Sequence, residues 1–317
     1  MYLPVLPVYF YGVLRTRRLL YFTATNPSIE MGGFFGERKD EILDLIPQEY
    51  KVKGVPIYSK KSIEDLQAIL SSNNLKFPLV AKPNIGERGE GVKIVRSIEE
   101  LEAYNESESD YIIQEYIDYP LELGVLFYKY PNDEAGVVSS ITLKAFLSVT
   151  GDGVSSVEQL LQVSKRGRIY FPFVRREFPE RLLIVPNKNE EYTIHRIGNH
   201  VKGTRFIDAN ENITKKLNAA FSHLSSKVEG VYFGRYDLKV ESFDHLESGE
   251  GIKIFELNGV SSEPGHIYDQ SNVFRAYSSL AHHWLALVHI SHQNIKKGVK
   301  TTPLLVFLKK VLNHFFG

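Results

Sequence analysis

Residues 230–266, GVYFGRYDLKVESFDHLESGEGIKIFELNGVSSEPGH, constrain this chain more than any other stretch. Two runs of alternating polar and apolar residues flank SFDHLESGEG, whose Gly, Ser and acid content predicts an exposed turn between two strands. Residues two apart on a strand share a face. Arg235, Asp237 and Lys239 therefore point one way, with Tyr236, Leu238 and Val240 turned into a core. On the second strand Glu256 and Asn258 share a face opposite Phe255 and Leu257. If the strands pair, Asp237, Glu256 and Asn258 converge beside Arg235 as hard oxygen donors, a set that suits Mg²⁺. A solvated polar sheet face ending in a turn at Asn258-Gly259 is the plainer reading. A phosphate cradle elsewhere in the chain would favour the first.

Such a cradle is present at FPLVAKPNIGERGEGVKIV, residues 77–95. It reads as a strand ending at Lys82-Pro83, a loop holding Gly86, Gly89 and Gly91, and a second strand. Glycines let backbone N–H groups turn toward oxygen anions, and a lysine at the strand end suits nucleotide phosphates. A polar hairpin is the alternative, and the lysine precedes the loop, so this is not a Walker A sequence. Upstream, Lys39 opens a helix expected over 37–46, where a helix N-terminus favours anions.

The remaining elements alternate strands and helices. Helices are expected over 62–74, capped by Ser62, over 97–105 and from 155 to 163. Strands are expected over 110–117, which ends in Gln114-Glu115-Tyr116-Ile117, over 118–131, which carries Glu122, and over 137–153, which carries Lys144. Asn199, His200, Lys202 and Arg205 crowd a glycine-bearing loop that is either a substrate loop or an ordinary solvated one. The helix expected over 271–294 contains His282, His283, His289 and His292; without an HExxH pattern these read as core-packed or solvated histidines.

Composition excludes some functions. Lys and Arg balance Asp and Glu at 38 each, so no bulk charge favours nucleic acid. The chain has no Cys, which removes disulfides, thiolate metal sites and cysteine nucleophiles. MYLPVLPVYFYGVL (1–14) is too short to span a bilayer, is broken by Pro4 and Pro7, and lacks a basic start or cleavage site. A buried or interface-packed arm is expected there, and an amphipathic helix docked on the core over 303–317. The RTRR at 15–18 and the Lys309-Lys310 pair leave a peripheral membrane contact as the minority reading.

In this order, Lys39, Lys82 with its glycine loop, Gln114–Ile117, Glu122 and GRYD…FELNG, the chain resembles the ATP-grasp superfamily. Within it the nearest branch is that of D-alanine–D-alanine ligase, and the resemblance covers roughly residues 37–290. It implies an α+β fold in which two subdomains with antiparallel sheets hold ATP between them. The domain division it implies is an arm at 1–36, an ATP-grasp domain at 37–290 with a hinge near 115–118, and an amphipathic tail at 291–317.

The resemblance also implies roles. Lys39 and Lys82 would bind ATP phosphates under the Gly86–Gly91 loop, Glu115, Tyr116 and Ile117 would line the adenine, and Glu122 would hold the ribose. Asp237, Glu256 and Asn258 would bind two Mg²⁺ ions, and Arg235, with Lys144 as a further contact, would stabilise the transferred phosphoryl group. Ser261, Ser262, Glu263 and His266 lie where these ligases bind their acceptor, and Asn199, His200 and Arg205 are further substrate candidates. The ligases begin with a Rossmann-like domain, whereas about 35 residues precede Lys39 here, so D-alanine is not implied as substrate.

The reaction implied is Mg²⁺-dependent ligation of a small carboxylate to an amine through an acyl phosphate, in a cytoplasmic or membrane-associated protein that could form homo-oligomers. A small-molecule kinase using the same ATP site, and a nucleotide-binding module without turnover, remain open.

Overall fold

The computed structural model describes residues 3–86, 89–107, 110–196, 198, 203–268 and 273–316. The chain separates into two compact units, one of residues 1–142 and 208–317, the other of residues 143–207. The architecture is α+β with antiparallel sheets, as the sequence implies.

In the first unit, a four-stranded sheet runs in the order β1 (Gly54–Ile57), β4 (Tyr111–Glu115), β2 (Leu79–Pro83), β3 (Lys93–Val95). All of its neighbours are antiparallel. Helices α3 (Ile63–Ser72) and α4 (Ile98–Ser107) belong to this part of the chain, and Leu66, Leu70 and Leu101 join Ile57, Leu79 and Ile113 in one buried cluster. Ser62 caps α3 by accepting the Asp65 N–H at 3.1 Å. Strand β1 has no apolar alternation in GVPI, and sequence reading does not find it.

A five-stranded sheet has the order β11 (Lys253–Asn258), β10 (Phe233–Val240), β5 (Leu121–Tyr128), β6 (Val137–Ala145), β9 (Arg205–Asp208). Strand β10 is buried along nearly its whole length between β5 and β11, antiparallel to both. Leu126, Tyr128 and Phe233 pack with Ala286, Leu287 and Ile290 of α9 (Val273–Lys296). The connector between β10 and β11 is not a plain turn. It folds as α8 (Phe243–Ser248), capped by Ser242 and anchored by buried Leu246. Two apolar residues, Phe243 and Leu246, among four polar ones are too few for periodicity to reveal a short helix.

The termini are helical. α1 (Leu6–Thr16) packs on α9, and α10 (Leu304–Phe316) sets Phe307 against Phe22, Phe34 and Phe35. α2 (Lys39–Asp44) and α7 (Lys215–Ser226, capped by Thr214) complete the unit. Among the described residues no helix is long and apolar enough to cross a membrane.

The second unit pairs β7 (Ser148–Thr150) with β8 (Glu191–Thr193) beside α5 (Val157–Val163) and α6 (Lys165–Glu177). The long strand expected over 137–153 is thus two, β6 and β7, interrupted at residues 146–147. Leu147, Val157, Leu161, Val174 and Ile194 form its core. Helix α6 is rich in Arg and carries Pro172, both of which disguise it in the sequence.

Candidate functional site

The cluster forms where the β10–β11 pair meets the end of β2. The register sets Arg235 opposite Asn258 and Asp237 opposite Glu256, so the two carboxylates are cross-strand neighbours on one face. Beyond Asp237 the register slips: Leu238 faces Ile254, which leaves Phe255 as the extra residue of a β-bulge. The Phe255 carbonyl accepts a 2.7 Å hydrogen bond from Lys82 Nζ. Lys82 is buried, and burial is the main cause that pushes its pKa down to about 8. Glu256 and Asp237 pull it up, while Lys39 pushes it further down, so all four charges share one field.

Asp237 is 2% exposed and heavily engaged. Arg235 Nε donates to its Oδ1 at 3.2 Å, and Asn258 Nδ2 to its Oδ2 at 3.1 Å. Burial works against the Arg235 charge, yet the Asp237 carboxylate beside it holds the guanidinium above its ordinary pKa. Arg235 also reaches the Glu263 carbonyl at 3.4 Å. Opposite Asp237 on β5 stands Gly124, where a Cβ would lie 3.1 Å from Asp237 Oδ1 and 3.2 Å from Arg235 Cδ. The missing side chain makes room for that pair.

Two residues along the same face, Lys239 lies opposite Glu122, with Nζ 3.9 Å from its carboxylate. Lys239 Nζ also donates to the Ile117 carbonyl at 2.9 Å and stands 5.2 Å from the centre of the Tyr116 ring. It thereby gathers Tyr116 and Ile117, expected at the hinge, with Glu122, expected at the ribose. Glu115 and Tyr116, with Asn74, Lys76, Phe77, Pro78 and Asp118, line an open cavity of about 480 Å³.

Lys39 opens α2, its N–H donates to the Asn84 carbonyl at 3.0 Å, and its Nζ bonds the Gly86 carbonyl. Asn84 is fully buried and also accepts the Asp40 N–H while donating to Asp110 at 3.1 Å. It fixes the lysine helix to the start of the glycine loop. Gly89 and Gly91 have φ of 68° and 69°, a region that favours glycine.

After Asn258 the chain is braced from the N-terminal segment. Val260 and Ser261 donate to the carbonyls of Gly32 and Gly33, and the Cα of Gly259 lies 2.7 Å from where a Gly33 Cβ would be. Ser261 is exposed, Ser262 bonds the Asn258 and Gly259 carbonyls, and Glu263 accepts from the Tyr268 hydroxyl. His266 is buried, 2.7 Å from Ser140 Oγ, and burial lowers its pKa. Lys144 is buried and Arg205 exposed within the second unit, where partial burial and then the nearby charge of Arg205 hold Arg166 below its ordinary pKa. Asn199, His200 and Lys202 lie outside the described residues. His283 bonds Ser139 and the Ser279 carbonyl, and burial lowers its pKa to about 4. Among the described residues no three His, Cys, Asp or Glu stand together as a metal cluster. The candidate set is two carboxylates and one amide.

A model of the Tubulin-tyrosine ligase family matches residues 38–126, a stretch that holds Lys39, Lys82, the glycine loop, Glu115–Ile117 and Glu122. The matched stretch ends before the acidic β10–β11 pair, which meets it at Lys82.

Solved structures with similarity to this chain include the bifunctional glutathione synthetase of Pasteurella multocida, at 15% identity and TM-score 0.36, covering 71% of this chain and 32% of that one. The D-alanine–D-alanine ligase of Bacillus anthracis complexed with ATP is 15% identical with TM-score 0.42, covering 82% and 67%. The biotin carboxylase domain of Hydrogenobacter thermophilus 2-oxoglutarate carboxylase, in complex with MgADP, is 13% identical with TM-score 0.46, covering 84% and 47%. The chain thus spans between about a third and two thirds of the length of these proteins. No curated protein sequence matches it.

Proposed function

We propose that the chain is an ATP-dependent ligase that activates a small carboxylate as an acyl phosphate and passes the acyl group to an amine. The observation that carries this reading is the pairing of Asp237 with Glu256 in the same electrostatic field as buried Lys82. A polar surface hairpin has no use for a lysine sunk against its bulge.

The residues divide the work as follows. Lys82 and Lys39 hold the phosphates beneath the Gly86–Gly91 loop. Glu115, Tyr116 and Ile117 receive the adenine at the open cavity, where the chain hinges near 115–118, and Glu122 takes the ribose. Asp237, Glu256 and the Asn258 amide oxygen would hold Mg²⁺, two ions in the full arrangement. Their chemistry fits: hard oxygens, with two formal negative charges, leave positions for phosphate oxygens. Bound there, the metal neutralises phosphate charge.

Arg235, kept charged by Asp237, faces the phosphoryl group as it moves. The substrate carboxylate oxygen attacks the γ-phosphorus and ADP leaves. The amine nitrogen then attacks the acyl carbon, phosphate departs and the nitrogen loses a proton. Phosphoryl transfer of this kind needs position and charge more than a protein nucleophile, and the chain has no Cys to supply one. Ser261, Ser262, Glu263 and His266 surround the acceptor.

Calorimetric titration with ATP, with and without Mg²⁺, tests the reading on wild type and on Lys82→Ala. Mg²⁺-dependent binding weakened at least about tenfold by the substitution supports it; a folded wild type that binds no ATP refutes it. Phosphate release that needs an added amine then separates ligation from phosphorylation of a hydroxyl.

A further inference from the structure

The two ends of the chain hold its charge unevenly. Residues 1–29 and 270–317 contain nine Arg or Lys and not one Asp or Glu. Because the whole chain balances 38 basic residues against 38 acidic ones, the rest carries an excess of nine acids. A neutral protein therefore conceals a strongly basic pair of segments.

The structure puts these segments together. α1 and the turn at Tyr21–Ala24 pack on α9, and Asn294 of α9 donates to the carbonyls of Ala24 and Thr25 at 2.9 and 3.0 Å. Phe307 of α10 rests on Phe22 and Phe34. Arg15 comes close enough to α9 that, after burial, the positive charges of Lys296 and Arg15 hold His292 below its ordinary pKa.

α1 is turned the opposite way from a helix that serves only a core. Gly12 and Thr16 face inward, and a Cβ at Gly12 would strike the Tyr21 ring at 2.4 Å. Pro7, Phe10, Tyr11 and Leu14, spaced i, i+3, i+4 and i+7, are exposed, Leu14 at 79%. This stripe runs into Arg15, Arg17 and Arg18, all exposed. α10 repeats the pattern: Leu305, Leu308 and Leu312 are exposed beside Lys309, Leu305 at 82%.

We propose that this basic, apolar-striped helical layer docks the protein on an anionic lipid surface. Apolar stripes flanked by Arg and Lys match a helix lying in the headgroup region, with its rings and leucines in the acyl boundary. Charge disfavours a second copy seated face to face, since a two-fold contact would set base against base, and Glu30, the acid that borders these segments, is already held by Lys310. Nucleic acid would use the basic residues but not the leucines.

Vesicle flotation of the full chain is the test, with phosphatidylcholine vesicles and with vesicles that also contain phosphatidylglycerol. The wild type should float with the anionic vesicles, release at high salt and stay largely free of the neutral ones. Replacing Arg15, Arg17 and Arg18 together by Ser should lower partitioning about 100-fold, from roughly one unit of binding energy per charge. Phe10→Glu with Leu14→Glu, and separately Leu305→Glu, should each lower it at least about tenfold. All these positions are exposed, and melting curves like that of wild type verify the fold. Wild type that stays free of both vesicle types overturns the proposal, as does binding indifferent to every variant. A dimer in sedimentation equilibrium that Leu14→Glu dissociates, without vesicle binding, assigns the face to a second copy instead.

Discussion

Lys82 Nζ donates to the Phe255 carbonyl across 2.7 Å, tying the end of one antiparallel sheet to the bulge of the other. The bond holds the lysine at the bulge, where the charges of Glu256 and Asp237 act on it.

This placement gives stability a pH dependence of definite sign. The folded protein releases the Lys82 proton near pH 8, whereas an ordinary lysine keeps it to about 10.5. Between those values the unfolded chain binds more protons, so stability rises with pH across the window. Lys82→Met should flatten that slope and make the nucleotide-free protein more stable at pH 7. Urea unfolding at pH 7, 8.5 and 10 checks it; an identical slope in wild type and variant would refute the assignment.

Glu256→Gln should abolish turnover while leaving the melting temperature within a few degrees of wild type, since the residue is only part-buried and its amide is near in shape. ADP release measured alongside a thermal melt reads both. Activity at the wild-type level would remove Glu256 from the metal site.

Gly124→Ala tests the space opposite Asp237. The added methyl meets Asp237 Oδ1 at 3.1 Å and Arg235 Cδ at 3.2 Å, close enough that the pair must give by a few tenths of an ångström. We expect about 1–2 kcal/mol of lost stability and a fall in kcat of roughly tenfold or more, because overpacking must be relieved by moving the pair. Denaturant titration and steady-state kinetics measure the two separately.

Asn26→Ala should destabilise the protein by about 2–4 kcal/mol. The buried amide accepts the N–H groups of Tyr232 and Phe233 and donates to the carbonyls of Gly32 and Phe233, all within 3.0 Å. Removing it leaves those groups unpaired. A loss below about 0.5 kcal/mol in urea unfolding would mean that water replaces the side chain.

The sheet fold and the face shared by Asp237, Glu256 and Asn258 were legible because strand alternation is local: knowing the residues two apart is enough. Lys82 and its glycine loop were legible for the same reason. The bulge at Phe255, the clearance at Gly124 and the anchors Asn26 and Asn84 were not, since each gains its meaning from a strand or loop distant in sequence. Pro56 in β1, Pro172 in α6 and the polar run of α8 obscured three elements that tertiary packing supports. The outward stripe of α1 was visible as apolar residues, but its direction is set by Gly12 meeting Tyr21.

Asn26 and its partner Phe233 are 207 residues apart, so the order of synthesis matters. At roughly 5–20 residues per second, the Asn26 amide leaves the ribosome about 10–40 s before the backbone that satisfies it. Until then residues 26–33 have no edge to settle on, and the turn after Asn258 has no brace. The first unit therefore cannot close from its N-terminus forward. Its earliest residues must stay open, or be shielded by other molecules, until nearly the whole sheet has been made.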